Sequence, residues 1–179
     1  MNLLETILGA NNGDNIQQLA KTFGIGESQA KSAIGEMLPA LTAGLKRNTQ
    51  SQGGLMGLMN ALNSGNHQRY LEQPETMTNE RTRQEGNAIL GHILGSKEVS
   101  RKVAQRASDQ TGVGSDIMKK MLPMVATLAM GALSKKSQNQ NMLGSQPSSG
   151  TGNFLTSLLD ADGDGSTMDD ILGFAKKFF

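Results

Sequence analysis

The residues best suited to chemistry in this sequence are carboxylates near its C-terminal end. Three aspartates alternate with small residues in the run Asp160-Ala161-Asp162-Gly163-Asp164-Gly165-Ser166. Alternate carboxylates on a tight turn converge on one point, and Ca²⁺ binds six to eight oxygens around one point. The Asp-x-Asp-x-Asp-Gly spacing is that of an EF-hand-type calcium loop. We therefore predict a Ca²⁺ site with these ligands: Asp160, Asp162, Asp164, the backbone carbonyl of Ser166, and Asp170.

This loop departs from the complete calcium loop at its far end. The twelfth position, which is normally a bidentate Glu, is Ile171. Asp169 or Asp170 must then close the site, and we favour Asp170. The alternative is a solvated acidic turn, in which Ser166 or Thr167 caps the last helix. Magnesium is a further alternative. A calcium site here would be structural or regulatory.

A second segment, residues 16–34, resembles a DNA-binding helix–turn–helix. The residues with the spacing of that motif are Ala20, Gly24, Ile25, Ala30 and Ala33. The helix that would read bases begins with Glu27, Ser28 and Gln29, and only Lys31 is basic nearby. We therefore expect a structural helix hairpin, with DNA binding as the alternative.

Residue groupings typical of enzymes are not visible. The chain has no cysteine and two histidines, His67 and His92, and no Ser/His/Asp set or phosphate-binding loop accompanies them. Because His92 stands between apolar residues in Gly91-His92-Ile93-Leu94, we expect it to pack in the core instead of acting as a base. The absence of cysteine excludes disulfides and thiolate metal sites. We predict that the protein is not an enzyme.

The elements that must position these residues are helices, because apolar residues recur at helical spacing and strand-like alternation is lacking. The sequence therefore predicts an all-α protein. Residues able to start or cap a helix are Asp14, Ser28, Thr78 and Ser96. Gly24 should stop a helix in the left-handed conformation, and Pro39 should kink the next one.

Methionine takes the place of aromatic residues in the expected core. The chain has 11 Met and only 5 Phe and 1 Tyr. The methionines assigned to helix cores are Met56, Met59, Met118, Met121, Met124 and Met130. A partner-binding groove is the alternative for them. The longest apolar run, Met121–Leu133, is too short to span a bilayer and predicts a buried helix.

Three short motifs recur in the same order along the chain. Ile7-Leu8-Gly9, Gly24-Ile25-Gly26 and Met37-Leu38-Pro39 return as Ile93-Leu94-Gly95, Gly112-Val113-Gly114 and Met121-Leu122-Pro123. Their separations are 86, 88 and 84 residues. The sequence therefore predicts a bundle built from two repeated helix-turn-helix units, at residues 2–47 and 87–136.

Composition divides the chain into three parts. Residues 1–136 form the duplicated bundle domain, 137–152 a Ser/Asn/Gln/Gly linker, and 153–179 a helix-loop-helix that contains the acidic loop. The N-terminus has neither a basic region nor a long apolar run, so we expect a cytoplasmic protein without a transmembrane segment. The net charge of +1 gives no general attraction to nucleic acid or membrane.

Several motifs together carry a family resemblance. They are Asn87-Ala88-Ile89-Leu90-Gly91-His92-Ile93-Leu94-Gly95, Gln110-Thr111-Gly112-Val113-Gly114, Met121-Leu122-Pro123-Met124, Leu158–Ser166 and Asp169-Asp170-Ile171-Leu172-Gly173. This series resembles the bacterial family called domain of unknown function 937, which is similar to the YidB-like proteins. The resemblance implies an all-helical bacterial protein and assigns no activity.

These observations together predict a non-enzymatic binding or assembly protein. The C-terminal module would dock on the bundle or on another copy, giving a homo-oligomer, and calcium would order the loop. The alternative is a DNA-associated regulator that uses the repeated turn, although nucleic acid is the less favoured partner. A protein partner is the other candidate ligand, and the pathway is left open.

Overall fold

Helices make up the fold in the computed structural model, which describes residues 3–64 and 66–141. The α-helices are α1 (Leu3–Gly9), α2 (Asp14–Phe23), α3 (Glu27–Thr49), α4 (Gln52–Ser64), α5 (Arg69–Glu72), α6 (Glu80–Leu94), α7 (Lys97–Thr111) and α8 (Ser115–Asn141). Two 3₁₀ turns occupy Ala10–Gly13 and Pro74–Thr78. The described ranges contain no strand, so the all-α prediction is confirmed.

The centre of the fold is α8. Every residue from 121 to 134 is buried, a stretch of nearly four turns with no exposed side. A helix that is apolar all round must be enclosed by other elements, and α8 contacts every other α-helix of the described part. Thr127 fits there because its hydroxyl donates to the carbonyl of Met124 at 2.7 Å. The buried helix predicted at Met121–Leu133 is confirmed.

The second long helix, α3, continues through Pro39 without a break in the helix. It packs against α6 and α7, which follow it in the chain, while α8 packs against α1 and α2, which open the chain. The elements of the two predicted units therefore interlock around a shared core.

Two left-handed glycines set the turns before the long helices. Gly24 between α2 and α3 has φ +64°, and Gly112 between α7 and α8 has φ +72°. Residues with a side chain rarely adopt this left-handed backbone conformation, so glycine is the usual residue at a helix end of this kind. The predicted stop at Gly24 is confirmed. Each turn leads into a helix with an internal proline, Pro39 in α3 and Pro123 in α8.

Helix starts follow the prediction in part. The Ser96 hydroxyl accepts a backbone N–H three residues on at 3.2 Å, so this cap is confirmed. Asp14 is instead the first residue of α2, and Ser28 is the second residue of α3. The prediction for Thr78 was wrong because its hydroxyl donates back to a carbonyl within the preceding 3₁₀ turn at 3.0 Å.

The methionine prediction holds inside α8 and fails on α4. Met118, Met121, Met124 and Met130 are all buried. Met56 is 66% exposed, so its assignment to a core was wrong. The side chain of Met59 lies outside what the structure describes. Long unbranched methionines fill the irregular space around α8 where aromatic residues are scarce.

Glycines allow a helix to approach a neighbouring backbone segment closely at several places. An added Cβ at Gly86 of α6 would lie 2.3 Å from the Pro123 carbonyl oxygen of α8. A Cβ at Gly44 would lie 2.7 Å from a carbonyl of α6, and one at Gly131 would lie 2.7 Å from the carbonyl of His67. A real Cβ does not approach another atom that closely, so these contacts require glycine.

The far end of α8 enters the segment predicted as a linker. The helix continues to Asn141 and so includes the first five residues of the predicted linker, which starts at Ser137. The rest of the linker and the predicted helix-loop-helix at 153–179 lie outside the described residues.

Candidate functional site

The predicted calcium ligands Asp160, Asp162, Asp164, Ser166 and Asp170 lie outside the residues that the structure describes. Within residues 3–64 and 66–141, no group of three or more His, Asp or Glu side chains is arranged to hold a metal ion. The metal site therefore stays a prediction, and the described residues supply no second one.

A polar cluster joins α5 to α6. The Arg69 guanidinium donates to both carboxylate oxygens of Glu85, at 3.0 and 2.8 Å, and Arg81 donates to the same carboxylate at 3.0 Å. Arg69 also donates to the phenol oxygen of Tyr70 at 2.8 Å, and its guanidinium carbon lies 4.9 Å from the centre of that ring.

This cluster is suited to holding helices together. The Tyr70 ring is buried, while the side chains of Arg69 and Glu85 are 31% and 30% exposed. Both oxygens of Glu85 accept from cations, so this carboxylate links α5 to α6 through charge-assisted hydrogen bonds. The Arg81 side chain is 81% exposed, so its pair with Glu85 lies at the surface.

His67 is half-buried where α4, α5 and α8 meet. Its Nε2 lies 3.0 Å from the Ala61 carbonyl, and its ring centre lies 6.0 Å from that of Tyr70. Burial lowers the pKa of His67 below its usual value, because the charged ring loses solvation, although the Ala61 carbonyl opposes this. The ring is therefore held mainly by packing and one hydrogen bond.

His92 does not pack in the core, so that prediction was wrong. The residue is exposed on α6, while the next residue, Ile93, is buried. Only its backbone takes part in packing, because the carbonyl accepts from the Asn48 side chain at 2.8 Å. The bond ties the end of α3 to α6.

A buried asparagine was missed by the sequence argument. Asn15 is fully buried, and its Nδ2 donates to the Leu71 carbonyl at 2.9 Å, which joins α2 to α5. Its Oδ1 has no hydrogen-bond partner among the described residues. Asn11 extends the same contact by donating to the Glu72 carbonyl at 3.5 Å. No local spacing marks these residues, because their partners lie 56 and 61 positions away.

The helix–turn–helix-like segment has the burial expected for a helix hairpin. Its small positions are enclosed: Ala20, Ala30 and Ala33 are at most 4% exposed. The start of α3 is exposed over residues 27–29. In the α7–α8 pair, Met118 near the start of α8 is buried, while Lys119 and Lys120 are exposed.

Charge is distributed unevenly along the chain. Residues 1–96 contain 7 Lys or Arg and 8 Asp or Glu, residues 97–141 contain 8 and 3, and residues 142–179 contain 2 and 5. The net charges are therefore −1, +5 and −3. Residues 121–134 of α8 are buried and uncharged, so the excess positive charge lies on α7 and near the two ends of α8.

One helix of the described part has the length and hydropathy to cross a membrane. The span is Ser115–Ser137, with a mean hydropathy of 1.2 in its most apolar window. In the fold, 83% of that window is buried against other helices. A core helix passes the same test, so this segment is accounted for by the packing around it.

Comparison with known proteins identifies the family. The family described as "Bacterial protein of unknown function (DUF937)" matches residues 5–136. Comparisons with curated proteins and with solved structures found no match. The family match covers most of the chain, from α1 to the charged residues near the end of α8. The chain therefore belongs to this bacterial family, DUF937.

Proposed function

We propose that this is a non-enzymatic helical binding and assembly protein whose C-terminal module holds a structural or regulatory calcium ion. The observation that carries the proposal is the use of polar groups in the bundle. Arg69, Glu85, Asn15 and Asn48 all join one helix to another. Among the residues that the structure describes, these polar groups hold helices together, which favours a scaffold protein over an enzyme.

The calcium part of the proposal rests on the sequence of the acidic loop. Five aspartates lie within eleven residues, from Asp160 to Asp170. Without a cation they repel one another, and a divalent ion would offset that repulsion. The ligands would be Asp160, Asp162, Asp164, the Ser166 carbonyl and Asp170. The ion would order the module, which would then contact the bundle or a second copy.

Calorimetry on the full chain tests this calcium site. After treatment with a chelator, we expect Ca²⁺ to bind one site with a dissociation constant of about 1 mM or tighter, the range of protein calcium sites. Asp162→Asn with Asp164→Asn should abolish the heat. Asp109→Asn with Asp116→Asn removes equal charge from exposed positions and should leave it unchanged. No heat for the natural chain would refute the site.

Sedimentation of the same samples tests assembly. We expect a larger fraction of dimer or higher oligomer with calcium than with chelator, because the ordered module would present a defined surface. A monomer under both conditions would refute self-association while leaving a calcium site intact.

We further propose that residues 2–47 and 87–136 are copies of one unit. The matched turns at Gly24 and Gly112 and the matched prolines in α3 and α8 support this. Because α3 and α8 each pack on helices of the other unit, we expect either unit alone to be unfolded by circular dichroism. A cooperatively folded single unit would argue against interlocked copies.

DNA binding is the second candidate, favoured by the net charge of +5 over residues 97–141. Lys119 and Lys120 are exposed at the start of α8, where a recognition helix would meet bases. A gel shift at 50 and 200 mM salt tests it, because phosphate contacts weaken steeply with salt. Binding that Lys119→Glu and Lys120→Glu abolish would support this function. No shift at 50 mM salt would exclude it.

A further inference from the structure

We propose that the acidic segment Asp160–Asp170 docks in the same chain on the basic surface of the α7–α8 unit. We use the name α7–α8 basic surface for the exposed cations of these two helices, Lys97, Arg101, Lys102, Lys119 and Lys120. The proposal needs only the charge of the aspartates, so it does not depend on calcium binding.

The acids within the α7–α8 unit neutralise this surface only in part. The pKa of Glu98 is lowered because its carboxylate accepts its own backbone N–H and the Ser96 hydroxyl at the start of α7, and the nearby charges of Arg101 and Lys97 lower it further. Asp109 accepts from Gln105 at 2.9 Å. Asp116 pairs with Lys119 at 3.2 Å. The five cations of the surface and these three acids sum to +2, and residues 97–141, which also contain Arg106, Lys135 and Lys136, have a net charge of +5.

Lys102 and Lys120 are the cations best placed to bind an acidic ligand. Both are exposed, and neither forms an ion pair or hydrogen bond with another described residue. On α7 the exposed side chains of Lys97 and Arg101 are four residues apart and therefore lie on one face. Exposed cations without close acids attract a polyanionic segment at low ionic strength.

The tether between the two surfaces is long enough. α8 ends at Asn141, and 18 residues separate it from Asp160. Eleven of them belong to the predicted linker and would span at most about 36 Å when extended, and the seven residues of the predicted first helix of the module would add about 10 Å. The whole of α8 is about 40 Å long, so the basic surface along α7 and the start of α8 lies within reach.

The same tether favours docking within one chain over docking on a second copy. A short linker gives a local concentration in the millimolar range. At micromolar protein the intramolecular contact is then favoured by about a thousandfold over the same contact between chains. The charge of this occupant is complementary to the basic surface, because the segment contributes five negative charges. Only two lysines follow it, at 176 and 177.

Zero-length carbodiimide coupling of the full chain tests the contact, because it joins carboxylates to amines that already touch. We expect coupling from Asp160–Asp170 to Lys97, Lys102, Lys119 or Lys120, reduced at least about fivefold in 0.5 M NaCl by screening. The reaction is run on an equal mixture of ¹⁴N and ¹⁵N protein. Docking within one chain gives only ¹⁴N–¹⁴N and ¹⁵N–¹⁵N products, and mixed products would overturn it in favour of a second copy.

A charge-matched control separates specific docking from general attraction. Lys97→Glu, Arg101→Glu and Lys102→Glu together should reduce coupling at Lys119 and Lys120 at least about fivefold. The control set makes the same three charge reversals on helices outside this unit, at Lys21, Lys31 and Arg83. It should reduce coupling at Lys119 and Lys120 less than twofold. Equal effects of the two sets, or coupling spread evenly to Lys21 and Lys31, would overturn the proposal. Calorimetry with Ca²⁺ reports separately on the metal site.

Discussion

Two glycines of α6 are expected to respond in opposite directions to the same substitution. Gly86 faces α8, and an added Cβ would lie 2.3 Å from the Pro123 carbonyl oxygen and 2.9 Å from its Cβ. Gly91 lies on the same helix and is exposed, with nothing within 4 Å of an added Cβ. Replacing each with alanine adds the same methyl group in two different environments.

The magnitudes follow from packing and helix propensity. Alanine in place of glycine stabilises a helix by about 1 kcal/mol, so Gly91→Ala should stabilise the fold by about 0.5–1 kcal/mol. For Gly86→Ala the same gain is outweighed. An ordinary contact is about 3.4 Å, so α6 must move by roughly 1 Å from the buried stretch of α8. Overpacking of this kind costs about 3 kcal/mol, which leaves a net loss of about 2 kcal/mol.

Urea and thermal unfolding, followed by far-ultraviolet circular dichroism, measure this difference. The two variants should differ by about 3 kcal/mol, which for a chain of this size is roughly 9 °C in Tm. Gly91→Ala should melt above the natural protein and Gly86→Ala below it. A Gly86→Ala protein as stable as Gly91→Ala would show that α6 and α8 do not meet backbone to backbone.

Three further substitutions probe the cap, the polar cluster and the buried histidine. Ser96→Ala should lower stability by about 1 kcal/mol in urea unfolding, since the first turn of α7 loses its hydroxyl acceptor. Glu85→Gln should cost up to about 1 kcal/mol, with the difference shrinking in high salt, because its half-exposed pairs are partly screened. Burial lowers the pKa of His67 from 6.5, so the unfolded chain takes up the proton first. Stability should therefore be complete above about pH 6.5 and fall as the pH drops below it, and His67→Gln should flatten that slope while His92→Gln should not.

Local signals in the sequence were sufficient for the helices and their stops. Gly24 stops α2 because the helix end needs a residue in the left-handed conformation. This requirement is local and does not depend on distant parts of the chain. Ser96 caps α7 for a similarly local reason, because its acceptor lies three residues away. The continuous apolar run in α8 indicated its burial without reference to any partner.

The residues whose burial was predicted wrongly are those whose environment is decided by the side of the helix on which they lie. His92 has apolar neighbours in sequence, but successive residues of a helix are about 100° apart. The face that buries Leu90 and Ile93 therefore leaves His92 exposed. Met56 on α4 is exposed in the same way. Adjacency in sequence is a poor guide to environment once the segment is helical.

The polar groups that join helices were not predictable from spacing. Arg69 and Glu85 are 16 positions apart, and a 3₁₀ turn intervenes between their helices. The amide of Asn15 meets a carbonyl 56 positions away. Such pairs arise only when α5 has been placed against α2 and α6, so they are a result of the fold and not a signal in the chain.

Exposed lysines lie at both ends of the buried stretch of α8. Lys120 and Lys135 flank the uncharged buried stretch, and 15 residues of helix separate them by about 22 Å. An acidic segment of eleven residues can cover that distance only when it is extended, because its greatest span is about 36 Å. In a calcium loop the same carboxylates converge within about 2.5 Å of one ion. A loop closed on calcium therefore cannot reach cations at both ends of the buried stretch, and it carries less negative charge. Because a bound Ca²⁺ would offset two of the five negative charges, we expect calcium to weaken the contact between this segment and the α7–α8 basic surface.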